Sequence, residues 1–179
     1  MNPTRVSRWM SLVLRHRPGD FGVELDAAGW ARVDDLLAAA ARAGIQLNRA
    51  SLAAVVAGSD KQRFALSDDG ELIRANQGHS VEVDLGLEPS EPPAVLFHGT
   101  ATRSLDSIRR EGLLPGTRQQ VHLATDEGTA VVVGARHGRP AVLRVDAARM
   151  HADGHAFTRA ENGVWLVDAV PPEYLTIPD

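Results

Sequence analysis

The chain of 179 residues contains no cysteine, one tyrosine and one lysine, and its aromatic residues make up only 4%. The absence of cysteine excludes a disulfide framework, a cysteine-ligated zinc site and thiol catalysis. With so few aromatic residues, the core has to be built from alanine, valine and leucine. No apolar run approaches the length of about 18 residues that a membrane-spanning helix needs, and the N-terminal sequence lacks the apolar segment of a signal peptide. We therefore expect a cytoplasmic protein with no membrane partner.

The net charge of −4 is divided unevenly along the chain. Residues 1–75 carry 10 Arg or Lys against 9 Asp or Glu, whereas residues 76–179 carry 9 against 14. Neither half has the broad basic field of a non-specific nucleic-acid binder. Of the 19 cationic residues, 18 are arginine, whose rigid guanidinium donors suit phosphate and carboxylate. A GC-rich genome is the simpler explanation of that bias. The positions of individual arginines in the sequence are therefore needed to identify those with a function.

Hydropathy spacing in the first 75 residues predicts three helices and then a hairpin. Apolar residues recur at helical spacing from Val6 to Leu14, and Pro18 ends that run. The candidate caps are Asp34 or Asp35 and Gly44 for the second helix, and Asn48 or Ser51 for the third. Residues 22–26 alternate like a strand, and residues 63–67 and 71–75 predict a hairpin. This order is that of a winged-helix domain.

The second half has a different pattern, and turn-rich residues near 75–93 predict a boundary between two lobes. A short helix is predicted over residues 104–111, and residues 129–135 are compatible with helix or strand. Short strands are predicted at residues 81–85, 94–98, 121–124, 141–145 and 164–167. Pro171 and Pro172 interrupt the pattern after the last of them. The sequence therefore predicts an α+β sheet lobe.

Three polar clusters of the first 80 residues have simple structural explanations. Arg15, His16 and Arg17 end an apolar helix, where cations favour the helix dipole, although the same group could form an anion site with a histidine beside it. A solvated charged turn accounts for residues 60–64. A polar turn accounts for residues 74–80, which are nevertheless dense in hydrogen-bonding groups.

A fourth cluster is less easily explained by structure alone. His98 and His122 each end a short predicted strand, Gly99 and Thr100 follow the first, and Arg118 precedes the second. A glycine allows close approach of a ligand to the backbone, and a Gly-Thr amide pair can bind a carboxamide or a phosphate. This pattern favours a ligand site.

Other familiar sites are missing from the sequence. It contains no P-loop, no Gly-x-Gly-x-x-Gly motif and no Gly-x-Ser-x-Gly elbow. His151 and His155 could be taken for a metal site, but no third or fourth ligand has suitable spacing. We expect no metal.

Six segments together resemble a known family, the RNA 2′-phosphotransferases of the Tpt1/KptA type, over nearly the full chain. These segments are LRHRP from Leu14, DKQRF from Asp60, IRANQGHSV from Ile73, LFHGT from Leu96, VHLA from Val121 and NGVWLVDAVPPEYL from Asn162. Each is weak alone, but six in the family's order make a strong signal. The resemblance implies a winged-helix, RNA-side lobe over residues 1–80 and an ADP-ribosyltransferase-like, NAD-binding lobe over residues 81–179.

The resemblance also implies a reaction. An internal RNA 2′-phosphate is transferred to NAD, which is consumed as a co-substrate (an EC 2.7.1 phosphotransferase). Nicotinamide leaves first, forming a 2′-phospho-ADP-ribosylated RNA intermediate, and RNA with a free 2′-hydroxyl and ADP-ribose 1″,2″-cyclic phosphate follow. In the family the RNA is tRNA-like, so tRNA splicing or RNA repair is the implied context. We expect a monomer.

The family's catalytic tetrad corresponds to Arg15, His16, Arg63 and Arg118. The resemblance implies that the three arginines hold the phosphate and that His16 assists the transesterification. It implies NAD contacts at His98, Gly99, Thr100 and His122, with Gly99 or its neighbours holding the nicotinamide amide. Val164 occupies the place where many ADP-ribosyltransferases have a glutamate, and Ala124 occupies the place of the family's usual serine.

Two alternative functions stay open from the sequence. One is an ADP-ribosyltransferase that stops after the first step, for instance on a terminal nucleic-acid phosphate. The other is a non-enzymatic winged-helix protein that binds nucleic acid or NAD. That alternative requires a basic recognition helix, and the third helix offers only Arg49.

Overall fold

Helices come first in the chain, and short antiparallel strands dominate its second half. The computed structural model describes residues 2–178. The chain divides into two units, one ending at Gly86 and the other beginning at Leu87. Both mix helices with small antiparallel sheets, so the chain has an α+β fold.

The helices of the first unit are α1 (Pro3–Arg15), α2 (Val33–Arg42) and α3 (Arg49–Ala57). The predicted cap at Asn48 is confirmed, because its side chain accepts from the N–H of Ser51. Gly44 follows α2 with φ +68°, as predicted for a terminating glycine. The predicted cap at Asp34 or Asp35 is wrong. Arg32 occupies the N-cap position, and the two aspartates lie in the first turn, where negative charge favours the helix dipole.

One antiparallel sheet completes the first unit. Its strands β1 (Ala31–Arg32), β2 (Phe64–Leu66) and β3 (Leu72–Ala75) are ordered β1-β3-β2, and β2 and β3 confirm the predicted hairpin.

The strands predicted over residues 22–26 and 81–85 are wrong. The second segment instead lies against the first unit: the Asp84 N–H donates to the Ala27 carbonyl at 2.8 Å, and the Arg74 guanidinium donates to the Leu85 carbonyl at 3.5 Å. These contacts explain why the first unit extends to Gly86, six residues beyond the predicted lobe boundary.

The second unit contains two three-stranded antiparallel sheets with the orders β4-β6-β9 and β5-β8-β7. The strands are β4 (Val95–Ala101), β5 (Val121–Leu123), β6 (Pro140–Asp146), β7 (Thr158–Arg159), β8 (Trp165–Val167) and β9 (Leu175–Thr176). A single bridge between Phe97 and Ala124 joins the sheets, with both N···O distances 2.8 Å. It brings β4 beside β5, so that His98 and His122 lie on neighbouring strands.

Three helices accompany these sheets: α4 (Leu105–Glu111), α5 (Glu127–Gly134) and α6 (Ala147–Ala152). The segment compatible with helix or strand is therefore α5, capped by the Asp126 side chain, which accepts from the Thr129 N–H at 2.7 Å. The sequence analysis missed α6 and β7. No helix among residues 2–178 is both long and apolar enough to span a bilayer.

Helix α5 packs against β4 at two glycines. A Cβ added at Gly99 would lie 1.8 Å from the Ala130 carbonyl oxygen, and one at Gly134 would lie 2.6 Å from the Thr100 carbonyl oxygen. Only hydrogen fits at these positions, so the helix backbone lies directly on the strand. This close approach fixes the part of β4 that carries His98 and Thr100.

Candidate active site

The C-terminal end of α1 presents Arg15 and His16. Arg15 is the last helical residue, and its carbonyl accepts from the N–H groups of Ser80 and Val81 at 2.9 and 3.3 Å. These bonds replace the partners that a helix end loses. They also anchor residues 76–80, here called the 76–80 segment, beside the end of α1.

Arg63 lies directly before β2, and its main-chain carbonyl accepts two hydrogen bonds. The Arg63 carbonyl accepts from the Asn76 N–H at 3.0 Å and from the Arg15 guanidinium at 3.4 Å. The Arg15 guanidinium carbon also lies 5.8 Å from the centre of the Phe64 ring. Arg15 and Arg63 are thus neighbours, and both are half-buried.

Gly78 and Ser80 of the 76–80 segment lie against Arg15 and His16. A Cβ added at Gly78, which has φ +90°, would lie 3.5 Å from Nη1 of Arg15, so glycine allows the segment to pass close to the guanidinium. The Ser80 hydroxyl lies 2.9 Å from Nδ1 of His16 and 3.4 Å from the Arg15 carbonyl. The segment therefore contacts both residues that α1 supplies.

His79, in the same segment, is 3% exposed. Burial, and then the positive charges of Arg15, His16 and Arg74, lower the pKa of His79 from 6.5 to about 4. The imidazole is therefore neutral near pH 7. It therefore adds no further positive charge beside Arg15, His16 and Arg74.

Arg15, His16 and Arg63 form what we call the first-unit cluster. The Arg15 guanidinium is held by the Arg63 carbonyl, and the backbone of Arg63 is held by Asn76, so both residues are anchored before a ligand arrives. Guanidinium donors form strong, charge-assisted hydrogen bonds to phosphate oxygens and keep their proton throughout. The arrangement suits a phosphate dianion.

His98 belongs to β4 in the second unit. Its Nδ1–H donates to the His122 carbonyl at 3.0 Å, which makes Nε2 the hydrogen-bond acceptor of the neutral ring. Burial and the charges of Arg118 and His137 lower the pKa of His98, against a smaller opposite effect of that hydrogen bond. A neutral His98 can thus accept a hydrogen bond from a ligand hydroxyl through Nε2.

Arg118 and His122 are joined directly, because Nη1 of Arg118 donates to Nδ1 of His122. Together with His98 they form what we call the second-unit cluster. Enclosure of the guanidinium by protein atoms and the charge of Arg136 lower the pKa of Arg118. Sequence reasoning missed Arg136, which follows α5 and whose proximity depends on the packing of α5 against β4.

The remaining predicted site residues lie on β4 or directly beside β5 and β8. Thr100 is half-buried on β4, two residues beyond His98. The packing against α5 explains why residue 99 is glycine, so its predicted NAD contact has no support of its own. Val164 is half-buried before β8 and accepts through its carbonyl from the Ala160 N–H at 2.9 Å. Ala124 forms the bridge to Phe97.

A cavity of about 270 Å³ lies elsewhere in the second unit, beside His151 and His155. None of the predicted site residues lines it, and the chemistry of the two clusters is the better guide to function. Within residues 2–178, no three His, Asp or Glu side chains converge as ligands for a metal ion.

The structure brings Arg15, His16 and Arg63 together in one unit, and His98, Arg118 and His122 together in the other. Sequence reasoning missed Asn76, His79 and Ser80 as supporting residues, because a polar turn explained them adequately. The available signal was the density of hydrogen-bonding groups in residues 76–80.

Arginine side chains gathered beside histidines are typical of proteins that bind phosphate groups. The particular family follows from comparison: the chain belongs to the RNA 2′-phosphotransferase, Tpt1/KptA family, whose model matches residues 1–169. The chain is 62% identical to a protein of Agrobacterium fabrum over 174 residues, 97% of this chain and 94% of that protein. It is 57% identical to one of Burkholderia lata over 173 residues, 96% of this chain and 89% of that protein. Both relatives are named "Probable RNA 2'-phosphotransferase". The family name indicates a transferase that acts on RNA 2′-phosphate.

Proposed function

We propose that this protein removes an internal 2′-phosphate from RNA in an NAD-dependent reaction. The phosphate is transferred to NAD by way of a 2′-phospho-ADP-ribosylated RNA. The products are nicotinamide, RNA with a free 2′-hydroxyl and ADP-ribose 1″,2″-cyclic phosphate. The family supports the removal of the phosphate, and the convergence of Arg15, His16 and Arg63 on one segment is the structural observation that carries the proposal.

The first-unit cluster binds the RNA 2′-phosphate in this proposal. Two positively charged guanidiniums at fixed positions stabilise a dianion and the further charge that develops on its oxygens during transesterification. The family tetrad assigns a catalytic role to Arg118 as well. His16, held by Ser80, assists the proton transfers of the second step.

The second-unit cluster supplies groups that fit NAD. The neutral His98 accepts from a ribose hydroxyl through Nε2, and Thr100, which faces the same side of β4 because side chains alternate along a strand, adds a hydroxyl. When bound, NAD supplies a ribose carbon from which nicotinamide can leave. Val164 leaves the usual glutamate position without a carboxylate, which keeps the ribose 2″-hydroxyl available as the nucleophile of the second step.

We also propose the fold of each unit at the family level. Three helices and the sheet β1-β3-β2 are the parts of a winged-helix lobe. The two antiparallel sheets of the second unit, with α5 on β4, are compatible with an ADP-ribosyltransferase-like lobe.

The test is incubation of the protein with a short RNA bearing one internal 2′-phosphate, with and without NAD and in the presence of EDTA. The RNA is followed by gel electrophoresis and the small molecules by mass spectrometry. We expect 2′-hydroxyl RNA and ADP-ribose cyclic phosphate only when NAD is present. EDTA has no effect if the arginines take the place of a divalent cation.

Two variants make the result specific. Arg118→Ala should abolish the reaction, whereas Arg110→Ala, which removes an exposed arginine of α4, should not change it. Accumulation of ADP-ribosylated RNA would favour an enzyme that stops after the first step. No conversion by the folded wild-type protein would contradict the proposed function.

A further inference from the structure

Asn76 is one of the few buried polar residues of the chain, with 5% of its surface exposed. Its main-chain N–H donates to the Arg63 carbonyl at 3.0 Å, which continues the β2–β3 ladder by one residue. Its side-chain Nδ2 donates to the Gln62 carbonyl at 2.6 Å. Asn76 thus donates hydrogen bonds to two successive carbonyls, those of Gln62 and Arg63.

Gln62 has an unusual backbone conformation. Its φ is +40°, and it is the only residue other than glycine with positive φ among residues 2–178. A side chain in this region meets steric strain, which persists only when surrounding contacts hold the backbone in place. The contacts available here are the Gln62 N–H, which donates to the Ser59 carbonyl at 2.8 Å, and the Asn76 side chain.

The position of Arg15 depends on the next peptide, which joins Arg63 to Phe64. Nη2 of Arg15 donates to the Arg63 carbonyl at 3.4 Å, so a rotation of the 62–63 backbone would move the acceptor of Arg15 as well as the side chain of Arg63. Asn76 is therefore connected to both arginines of the first-unit cluster, although its side chain bonds neither guanidinium.

We propose that Asn76 is a positioning residue for the phosphate-binding arginines: its side-chain amide holds Gln62 in the strained conformation that directs Arg63 and supports Arg15. This inference rests on the proposed function, because it assigns to the two arginines a role in binding the RNA 2′-phosphate.

The stability of the protein gives little reason for an asparagine at this place. Oδ1 of Asn76 is buried and has no hydrogen-bond partner among residues 2–178. An unsatisfied buried acceptor lowers the free energy of unfolding and so offsets the gain from Nδ2. Replacement by alanine removes both groups. We therefore expect Asn76→Ala to have a small effect on stability and a large effect on activity.

The experiment measures kcat and KM for the 2′-phosphorylated RNA and for NAD in the wild type, Asn76→Ala and Asn76→Asp. Asparagine and aspartate have the same shape, but the carboxylate cannot donate to the Gln62 carbonyl. Both variants should lose about 10- to 100-fold in kcat/KM for RNA, the size of effect that a misplacement of about 1 Å has on catalysis. The KM for NAD should stay within about twofold, because the proposed NAD contacts lie in the second unit.

A second substitution distinguishes positioning from a general weakening of the fold. Glycine adopts positive φ without strain, so Gln62→Gly in the Asn76→Ala background should restore the native backbone at residue 62 and recover several-fold of the lost activity. Asn48→Ala is the matched control: it removes an asparagine side chain that accepts a main-chain hydrogen bond from the Ser51 N–H, at the start of α3 in the first unit. It should lower the melting temperature and leave kcat/KM unchanged.

The result that overturns the inference is an Asn76→Ala protein as active as the wild type, or one whose lost activity is not recovered by Gln62→Gly. An independent readout is the ratio of affinities for the same RNA with and without its 2′-phosphate, measured without NAD. Asn76→Ala should reduce this ratio about tenfold. If the wild type itself converts no RNA, the proposed function fails, and this ratio still decides the role of Asn76.

Discussion

The two clusters hold their functional groups in different ways. In the first unit, main-chain bonds hold the guanidinium of Arg15 and the backbone of Arg63, which follows the strained residue Gln62. In the second unit, two neighbouring strands carry side chains that bond to each other directly, from Arg118 to His122 and from His98 to the next strand. The first arrangement concentrates positive charge, and the second presents a neutral histidine beside one arginine. The comparison shows two different ways in which one chain positions arginine and histidine side chains.

Each unit also has a histidine with a lowered pKa, the buried His79 in the first unit and the half-buried His98 in the second. Their positions differ in one respect that matters for function. His79 is 3% exposed, whereas His98 keeps partial exposure and an acceptor nitrogen. Of the two histidines, only His98 therefore presents an accessible hydrogen-bond acceptor.

The largest expected effect comes from the packing that supports the second-unit cluster. Gly99→Ala places a Cβ 1.8 Å from the Ala130 carbonyl, so α5 has to move off β4. We expect the free energy of unfolding to fall by about 3 kcal/mol or more, the upper range for overpacking. Gly19→Ala is the control, because a Cβ there meets nothing within 4 Å. Equal stability of both variants in urea would show that this packing is not tight.

The next effect concerns the charge of the first-unit cluster. Arg63→Lys keeps the charge and removes the planar fork of donors, so we expect kcat/KM to fall by about 10²- to 10³-fold, or about 2.7–4 kcal/mol in the transition state. Arg8→Lys, at an exposed position of α1, is the matched control and should have no effect. Steady-state kinetics with the 2′-phosphorylated RNA measure both. If Arg63→Lys matched the wild type, charge alone would be sufficient, and main-chain positioning of Arg63 would have no purpose.

The third prediction uses the lowered pKa of His79. The unfolded chain binds a proton at this histidine near pH 6.5, and the folded chain only near pH 4, so the unfolded state gains protons first as the pH falls. The free energy of unfolding should therefore decrease by roughly 3 kcal/mol between these two pH values and be fully retained above the higher one. Burial of the ring is the main cause of this low pKa, and the positive charges of Arg15, His16 and Arg74 lower it further.

Urea denaturation at a series of pH values measures this effect. His79→Gln should flatten the pH dependence between pH 6.5 and 4, whereas His151→Gln, at an exposed position, should not. If the free energy of unfolding of the His79 variant kept the wild-type dependence on pH, groups other than His79 would cause the loss of stability in acid. His98 in the second unit would be the first of these to test.

Local patterns predicted much of the fold and some of the site. The Asn48 cap, the terminating Gly44 and the β2–β3 hairpin depend on residues close in sequence, and the sequence analysis found them. Residues 22–26 and 81–85 alternate like strands but have no partner strand, and alternation does not reveal a partner. The supporting bonds join distant residues: Asn76 to Gln62 across 14 positions, and Ser80 to His16 across 64. Such bonds follow from the packed fold and have no local signal.

The smallest expected effect tests whether the first unit has a second way of binding nucleic acid, through helix α3. Arg49 is the only cation of α3, the helix that a winged-helix binder would use for recognition. The structure ties it to Asp34 at 2.8 Å and to both carboxylate oxygens of Glu71 at 2.8 and 2.9 Å. An arginine neutralised by two carboxylates has little attraction left for phosphate, and an exposed ion pair of this kind adds little to stability. Arg49→Gln should therefore leave RNA affinity and its salt dependence unchanged, as measured by fluorescence anisotropy. A clear loss of affinity would bring back the non-enzymatic nucleic-acid binder as the better description of this unit, whereas no loss leaves Arg15 and Arg63 as its means of holding RNA.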